Sequence, residues 1–174
     1  SEWGAAEIRS AYEIAASLNL IPPTMEQPQY NLFQREKVDG EYLSLFADFG
    51  LGTTIWSPLA SGILTGKYDD GIPQGSRFAT SNSAWLRRTI EGERGRWKLE
   101  VSRRLAPLAA ELGCTRAQLA LAWGLKNPHV SSVITGASRP EQVTENMRAL
   151  EVAALLSEDI MARIEAILGR RPPA

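Results

Sequence analysis

The chain has 174 residues, enough for one domain with a real core, and its 19 Lys and Arg against 20 Asp and Glu leave a formal net charge of −1. That balance leaves no broad electrostatic footprint for nucleic acid, and no apolar run approaches the ~20 residues that insert across a bilayer. A single cysteine, Cys114, excludes an internal disulfide framework. No signal-peptide pattern opens the chain, so a soluble, cytoplasmic protein is expected. The first residue is Ser1 and not Met, and the chain reads as a piece of something longer.

Taken in order, the elements alternate between helix and strand. Ala5 to Leu18 has Ile8, Ala11, Tyr12, Ala15 and Leu18 at three and four spacing, which predicts a helix. Pro22-Pro23 stops it, and residues 24–27 read as a short strand. Val38 to Phe49 predicts a second helix with Tyr42, Leu45, Phe46 and Phe49 inward, closed by Gly50 and Gly52. Residues 53–56, Thr-Thr-Ile-Trp, are the next strand. A long loop, 57 to about 92, follows, and loops of that length are usually functional or disordered.

Arg94 to Leu112 predicts a helix that Pro107 should kink or restart. Thr115 caps a further helix with Gln118 as its capping-box partner. The strand at 130–135 meets Gly136, and Ser138 stands as N-cap of the next helix, with Glu141 as partner and Pro140 in the first turn. Val143, Met147 and Leu150 should face inward there. Ser157 caps the last helix, with Ile160, Ile164 and Ile167 inward and Gly169 and Pro172-Pro173 at its end. Strands alternating with helices imply parallel pairing through right-handed crossovers. Three strands cannot close a (β/α)8 barrel, which needs eight and about 250 residues, so an unfinished barrel fits better than a complete flavodoxin-like domain.

Two loops suggest a phosphate-bearing ligand. A strand ending in Gly136-Ala-Ser138 before a helix N-terminus presents backbone N–H groups and a positive dipole end. In the other loop, Trp56-Ser57-Pro58-Leu59-Ala60-Ser61-Gly62 puts an aromatic at a strand end before small residues, and Lys67, Ser76 and Arg77 add cations and a hydroxyl. An aromatic face beside an anion cradle suits a ring joined to a pyrophosphate. Core packing remains the rival explanation for Trp56, and a solvated loop the rival for Lys67 and Arg77.

These blocks carry a family resemblance. Ser1-Glu2-Trp3, residues 26–31 (Glu-Gln-Pro-Gln-Tyr-Asn), residues 33–36 (Phe-Gln-Arg-Glu), Trp56-Ser57-Pro58-Leu59, residues 62–68 (Gly-Ile-Leu-Thr-Gly-Lys-Tyr) and Gly136-Ala137-Ser138 resemble the aldo-keto reductases. The branch they most resemble contains the voltage-gated potassium channel beta subunits and their microbial reductase relatives. The resemblance implies the C-terminal half of a TIM barrel over residues 1–174, as one domain. The strands at 24, 53 and 130 would be barrel strands six, seven and eight, with 94–112 and 157–168 the two extra helices and the N-terminal half barrel a missing partner.

By the same resemblance the cofactor is NADP(H) and the substrate a small carbonyl compound. Ser1 and Gln27 would hydrogen-bond the nicotinamide carboxamide, and Trp56 would stack on its ring. Ser57, Leu59 and Ser61, with Pro58 and Ala60 in the same block, would line the pyrophosphate. Lys67, Arg77, Ser138 and Gln142 would surround the 2′-phosphate and adenine beside Gly136, with Glu145 and Asn146 at the adenine edge. Gly75 stands where channel subunits carry a tyrosine, and the Lys-Ser-x-x-x-x-Arg cluster of many reductases is absent.

The family's proton-donating tyrosine and its lysine and aspartate partners come from the first five strands. Tyr12, Tyr30, Tyr42 and Tyr68 do not match that motif, so no catalytic residue is assigned here. His129, a lone histidine after Pro128, is expected in solvent and supports neither a metal site nor a Ser-His-Asp site. Two other readings stand beside the reductase: a channel beta-subunit-like regulator that uses the nucleotide site as a redox sensor, and a non-catalytic half barrel that self-associates as a homo-oligomer.

Overall fold

A computed structural model of the chain describes residues 1–80, 86, 88–170 and 172. Part of the expected 57–92 loop, and Pro173, lie outside these. In chain order the elements are α1 (Ala5–Ser17), β1 (Met25–Glu26), a π-helical turn (Lys37–Glu41), α2 (Leu43–Phe49), β2 (Gly52–Ile55), a 3₁₀ turn (Ala60–Thr65), α3 (Arg77–Thr80), α4 (Gly92–Glu111), α5 (Arg116–Leu125), β3 (Ser132–Val133), α6 (Pro140–Met147), α7 (Ala149–Leu155) and α8 (Glu158–Leu168). They group into two compact units. One comprises Ser1–Pro58 and Gly124–Gly136, the other Leu59–Trp123 and Ala137–Ala174.

The first unit holds the sheet. Its three parallel strands lie in the order β1-β2-β3, with Glu26 opposite Thr53 and Ile55 opposite Val133. This is an α/β arrangement consistent with part of an aldo-keto reductase barrel. β1 and β3 are shorter than the sequence predicts, while β2 keeps four residues and begins one position earlier, at Gly52. Along β2, buried Thr53 and Ile55 alternate with half-buried Gly52 and Thr54, the period of a pleated strand. Ile8, Val38, Tyr42, Leu45 and Ile55 are buried.

The helix expected over 38–49 is broken. Glu41 and Tyr42 donate their N–H groups five residues back, to Glu36 and Lys37, so the chain widens into a π turn at Gly40 before α2 begins. Gly50, at φ +63, closes α2 in the left-handed conformation that glycine adopts freely. Leu18, expected inward, is exposed, as are Ile14, Leu20, Ile21 and Met25.

The second unit is helical, its core built from Ile63, Leu64, Leu105, Leu119, Leu121 and Ile164. α4 runs through Pro107 as one continuous helix, which corrects the expected restart. Pro107 is exposed, on the solvent face of α4. Thr115 and Gln118 form the expected capping box, each side chain accepting the other's backbone N–H at 3.2 and 3.0 Å. Ser157 caps α8 as expected, accepting the Ile160 N–H.

The helix after β3 differs from its expected form in two ways. It divides into α6 and α7, and Val143, Met147 and Leu150 are exposed while Asn146, Ala149 and Val152 are buried. The buried stripe runs through 146, 149 and 152, three residues apart, and so is offset from the apolar stripe of 143, 147 and 150.

Candidate functional site

The first unit gathers residues of two sequence blocks around Trp56. The Trp56 N–H donates to the Pro28 carbonyl at 3.1 Å, and its carbonyl accepts the Tyr30 N–H at 3.3 Å, which extends the β1–β2 pairing by one bridge at Gln29. The ring is half-buried, and its indole N–H donates to Glu2 Oε1 at 2.9 Å. Ser1 donates its hydroxyl to the Gln27 carbonyl at 2.7 Å, so these two predicted residues stand together.

Ser57 follows with φ +54, a left-handed conformation that a non-glycine residue adopts at a cost. Its carbonyl accepts the Asn31 amide at 2.9 Å, and Asn31 is buried, its own carbonyl oxygen taking the Phe33 N–H. Tyr30 is tied in turn to Asp39, which also receives Arg35 and Asn127. Pro58 is buried, and Gly136 is exposed in the segment after β3.

In the second unit the backbone at Ala60, Ser61 and Gly62 has φ of +49, +58 and +92. Three successive left-handed residues are rare outside functional loops. Leu59 precedes them, half-buried. The Lys67 ammonium packs over the Tyr68 ring, 5.0 Å from its centre. Burial, and secondarily the Arg77 charge, push its pKa down. No carboxylate among the described residues pairs with Lys67 or Arg77. Two cations that repel each other without a counter-charge make a site an anion would stabilise.

Ser138 lies just before α6, Gln142 in its first turn, and Glu145 and Asn146 in its last turn. Arg139, not Ser138, is the N-cap, and Pro140 is in the first turn as expected. The partner is Gln142, not Glu141: its Oε1 accepts the N–H groups of Ser138 at 2.8 Å and Arg139 at 3.2 Å, and the Ser138 hydroxyl at 3.2 Å. With Arg139 as the cap, Gln142 occupies the third helical position, from which its side chain reaches back to the cap. The Ser138 N–H read from sequence as free for phosphate is therefore engaged within the loop. Asn146 is buried and Glu145 exposed. Glu145 also borders an open cleft of about 660 Å³ that Cys114, Gln118, Glu141 and Arg148 share.

All four tyrosines have pKa values pushed up, chiefly by burial. That is the wrong direction for a proton donor poised near neutral pH. His129, expected in solvent, is half-buried with its ring stacked on Phe46 at 4.2 Å, and its carbonyl accepts the Thr53 hydroxyl. Burial raises the Cys114 thiol, so it is a poor nucleophile. Among the described residues no group of three His, Cys, Asp or Glu could hold a metal, and no helix is long and apolar enough to cross a membrane.

Glu2, Asn31 and Asp39 escaped the sequence reading as site residues. Their roles depend on partners 26 to 88 residues away, and nothing in their spacing signals it.

A family model described as "Aldo/keto reductase family" matches residues 1–169. The chain belongs to the aldo/keto reductase family. Members of this family are typically NAD(P)-dependent oxidoreductases. The chain is 49% identical over 174 residues to a protein named probable voltage-gated potassium channel subunit beta from Oryza sativa subsp. japonica, covering 99% of this chain and 52% of that relative. It is 46% identical over 172 residues to a putative voltage-gated potassium channel subunit beta from Schizosaccharomyces pombe (strain 972 / ATCC 24843), covering 99% of this chain and 50% of that relative. The chain thus spans about half the length of these curated relatives.

Proposed function

We propose that this chain is the cofactor-binding part of an NADP(H)-dependent reductase that converts aldehydes or ketones to alcohols. The observation that carries the reading is the Lys67–Arg77 pair, two cations with no carboxylate partner among the described residues, in the loop that follows β2. They fit the dianionic 2′-phosphate that separates NADP from NAD. In this reading β1, β2 and β3 are barrel strands six, seven and eight, and α4 and α8 are the extra helices.

The chain's own groups divide the work. Trp56, its backbone locked at both N–H and carbonyl, offers a ring face to the nicotinamide. Ser1 and Gln27, already paired, turn their remaining polar atoms to the carboxamide. Ser57, Ala60 and Ser61, through their positive φ angles, with Leu59 between them, bring backbone close to the pyrophosphate. Gln142 keeps its amide nitrogen free to meet the adenosine end, while its oxygen shapes the loop around Ser138. Glu145 and Asn146 serve the adenine edge. When bound, the dinucleotide supplies the hydride that reduces the carbonyl carbon.

The experiment is Arg77→Ala in the natural gene product, titrated with NADPH and NADH by tryptophan fluorescence. A charge-assisted contact to phosphate is worth about 1.5 to 3 kcal/mol, so NADPH affinity should fall roughly ten- to a hundredfold and NADH affinity far less. Equal losses for both nucleotides would remove the 2′-phosphate assignment.

The names of the two relatives favour a second reading, a regulatory subunit that reports nucleotide redox state to a channel. Co-purification of the natural gene product with a channel's cytoplasmic domain, as a stable complex sensitive to NADPH oxidation, would support it. Failure to form such a complex, with turnover on aldehydes intact, would leave the reductase alone.

A further inference from the structure

The Glu2 carboxylate joins three segments of the first unit that are far apart in sequence. Its Oε1 accepts the Trp56 indole N–H at 2.9 Å and the Gln29 backbone N–H at 2.5 Å. Its Oε2 takes the Lys37 ammonium at 2.9 Å, and that ammonium also donates to the carbonyls of Glu2 at 2.7 Å and Trp3 at 3.3 Å. Glu2 itself sits at φ +67, a conformation that persists where surrounding contacts impose it.

Burial pushes its carboxyl up, but the bonds from Lys37, Gln29 and Trp56 and the Lys37 charge outweigh this, and the net shift is downward. Glu2 is an anion at neutral pH. The backbone of Trp56 is held on both sides by Pro28 and Tyr30, so only the two side-chain torsions of the indole remain to be set. The bond to Oε1 sets them. It also places a formal negative charge one hydrogen bond from the ring.

We propose that Glu2 is a positioning residue for the stacking ring: its carboxylate holds the Trp56 indole in one orientation and favours the oxidised, cationic nicotinamide over the reduced, neutral one. This rests on the reading that Trp56 stacks on the nicotinamide. The bias is moderate, because Glu2 is 42% exposed and Lys37 offsets part of its charge. A two- to fivefold preference is the order of magnitude for a partly screened charge at this range, on the order of what an effective dielectric near that of a protein surface allows.

The test has two readouts in the natural gene product. The first is the Trp56 indole N–H resonance in the nucleotide-free protein, labelled with ¹⁵N-tryptophan and assigned by its loss in Trp56→Phe. The second is the ratio of dissociation constants for NADP⁺ and NADPH. Glu2→Gln retains an oxygen acceptor and removes the charge. It should keep a protected indole signal and weaken NADP⁺ about two- to fivefold, with NADPH little changed. Glu2→Ala should move the indole signal to a solvent-exposed position and weaken both nucleotides.

Lys37→Met, which removes the offsetting cation, should shift the ratio the other way, a reversal that a merely structural role would not produce. An indole signal unchanged in Glu2→Ala, or a nucleotide ratio unchanged in Glu2→Gln, would overturn the inference alone. A wild-type protein that binds neither nucleotide would overturn the underlying cofactor reading, and this inference with it.

Discussion

Around Lys67 the second unit is organised by one arginine. Arg116 forms a two-point pair with Asp69, at 3.2 and 2.5 Å, and donates to the Ser102 carbonyl at 3.0 Å. Its guanidinium fills the space beside Gly66, which has φ +84, and a β-carbon there would overlap it. Two penalties therefore coincide in Gly66→Ala, a forbidden dihedral and the displacement of a mostly buried ion pair. The expected loss is about 2 to 4 kcal/mol in urea denaturation. Asp69→Asn, which leaves the dihedral alone and weakens only the pair, should cost less. If both variants melt like the wild type, the loop is not pinned by Arg116, and the placement of Lys67 has another cause.

Among the helices, α4 holds the clearest pH-linked element. Lys98 is tucked along it, donating to the Thr89 carbonyl at 3.3 Å, and burial, with Arg94 adding to it, lowers its pKa from 10.5 to about 8. Below pH 8 the ammonium is charged in both folded and unfolded chains, and the folded chain bears the whole burial penalty. Between pH 8 and 10.5 the unfolded chain binds more protons, so the stability contributed by this site rises with pH. Lys98→Met should therefore melt at a higher temperature than wild type at pH 7. That advantage should shrink at pH 10, where the wild-type lysine is already neutral in the fold. Thermal melts at the two pH values decide it. A constant difference would mean that Lys98 is solvated and that its neighbours, not its titration, set the effect.

For the molecule entire, the exposed surface of the first unit sets the expectation. Ile14, Leu18, Leu20, Ile21 and Met25 are all at least 47% exposed, and Ile21 is 92% exposed. β1 and β3 each pair on one side only in the described sheet. Open strand edges beside uncovered apolar groups drive association. The 174-residue chain expressed alone should self-associate or precipitate. Sedimentation showing a stable monomer that melts cooperatively would count decisively against this. The same preparation should show no turnover of NADPH with 4-nitrobenzaldehyde, because none of Tyr12, Tyr30, Tyr42 and Tyr68 matches the proton-donating motif of the family.

Local chemistry alone determined much of this protein. Ser157, Thr115 with Gln118, and Gly50 mark helix ends because capping is a contact among neighbours, fully written in three or four residues. The parallel pairing of three strands followed from their alternation with helices, and the family from a set of short blocks. Tertiary structure decided what depends on distant partners. Whether α6 would end at Met147 and turn Val143 outward was not legible, because apolar spacing does not reveal which neighbour a helix meets. Neither was the π turn at Gly40, which carries Asp39 into reach of Tyr30 and of Asn127, 88 residues away. The setting of Trp56 belongs to the same class. Its position at a strand end is local, but the carboxylate that holds its ring comes from Glu2, 54 residues away in sequence and itself held by Gln29 and Lys37.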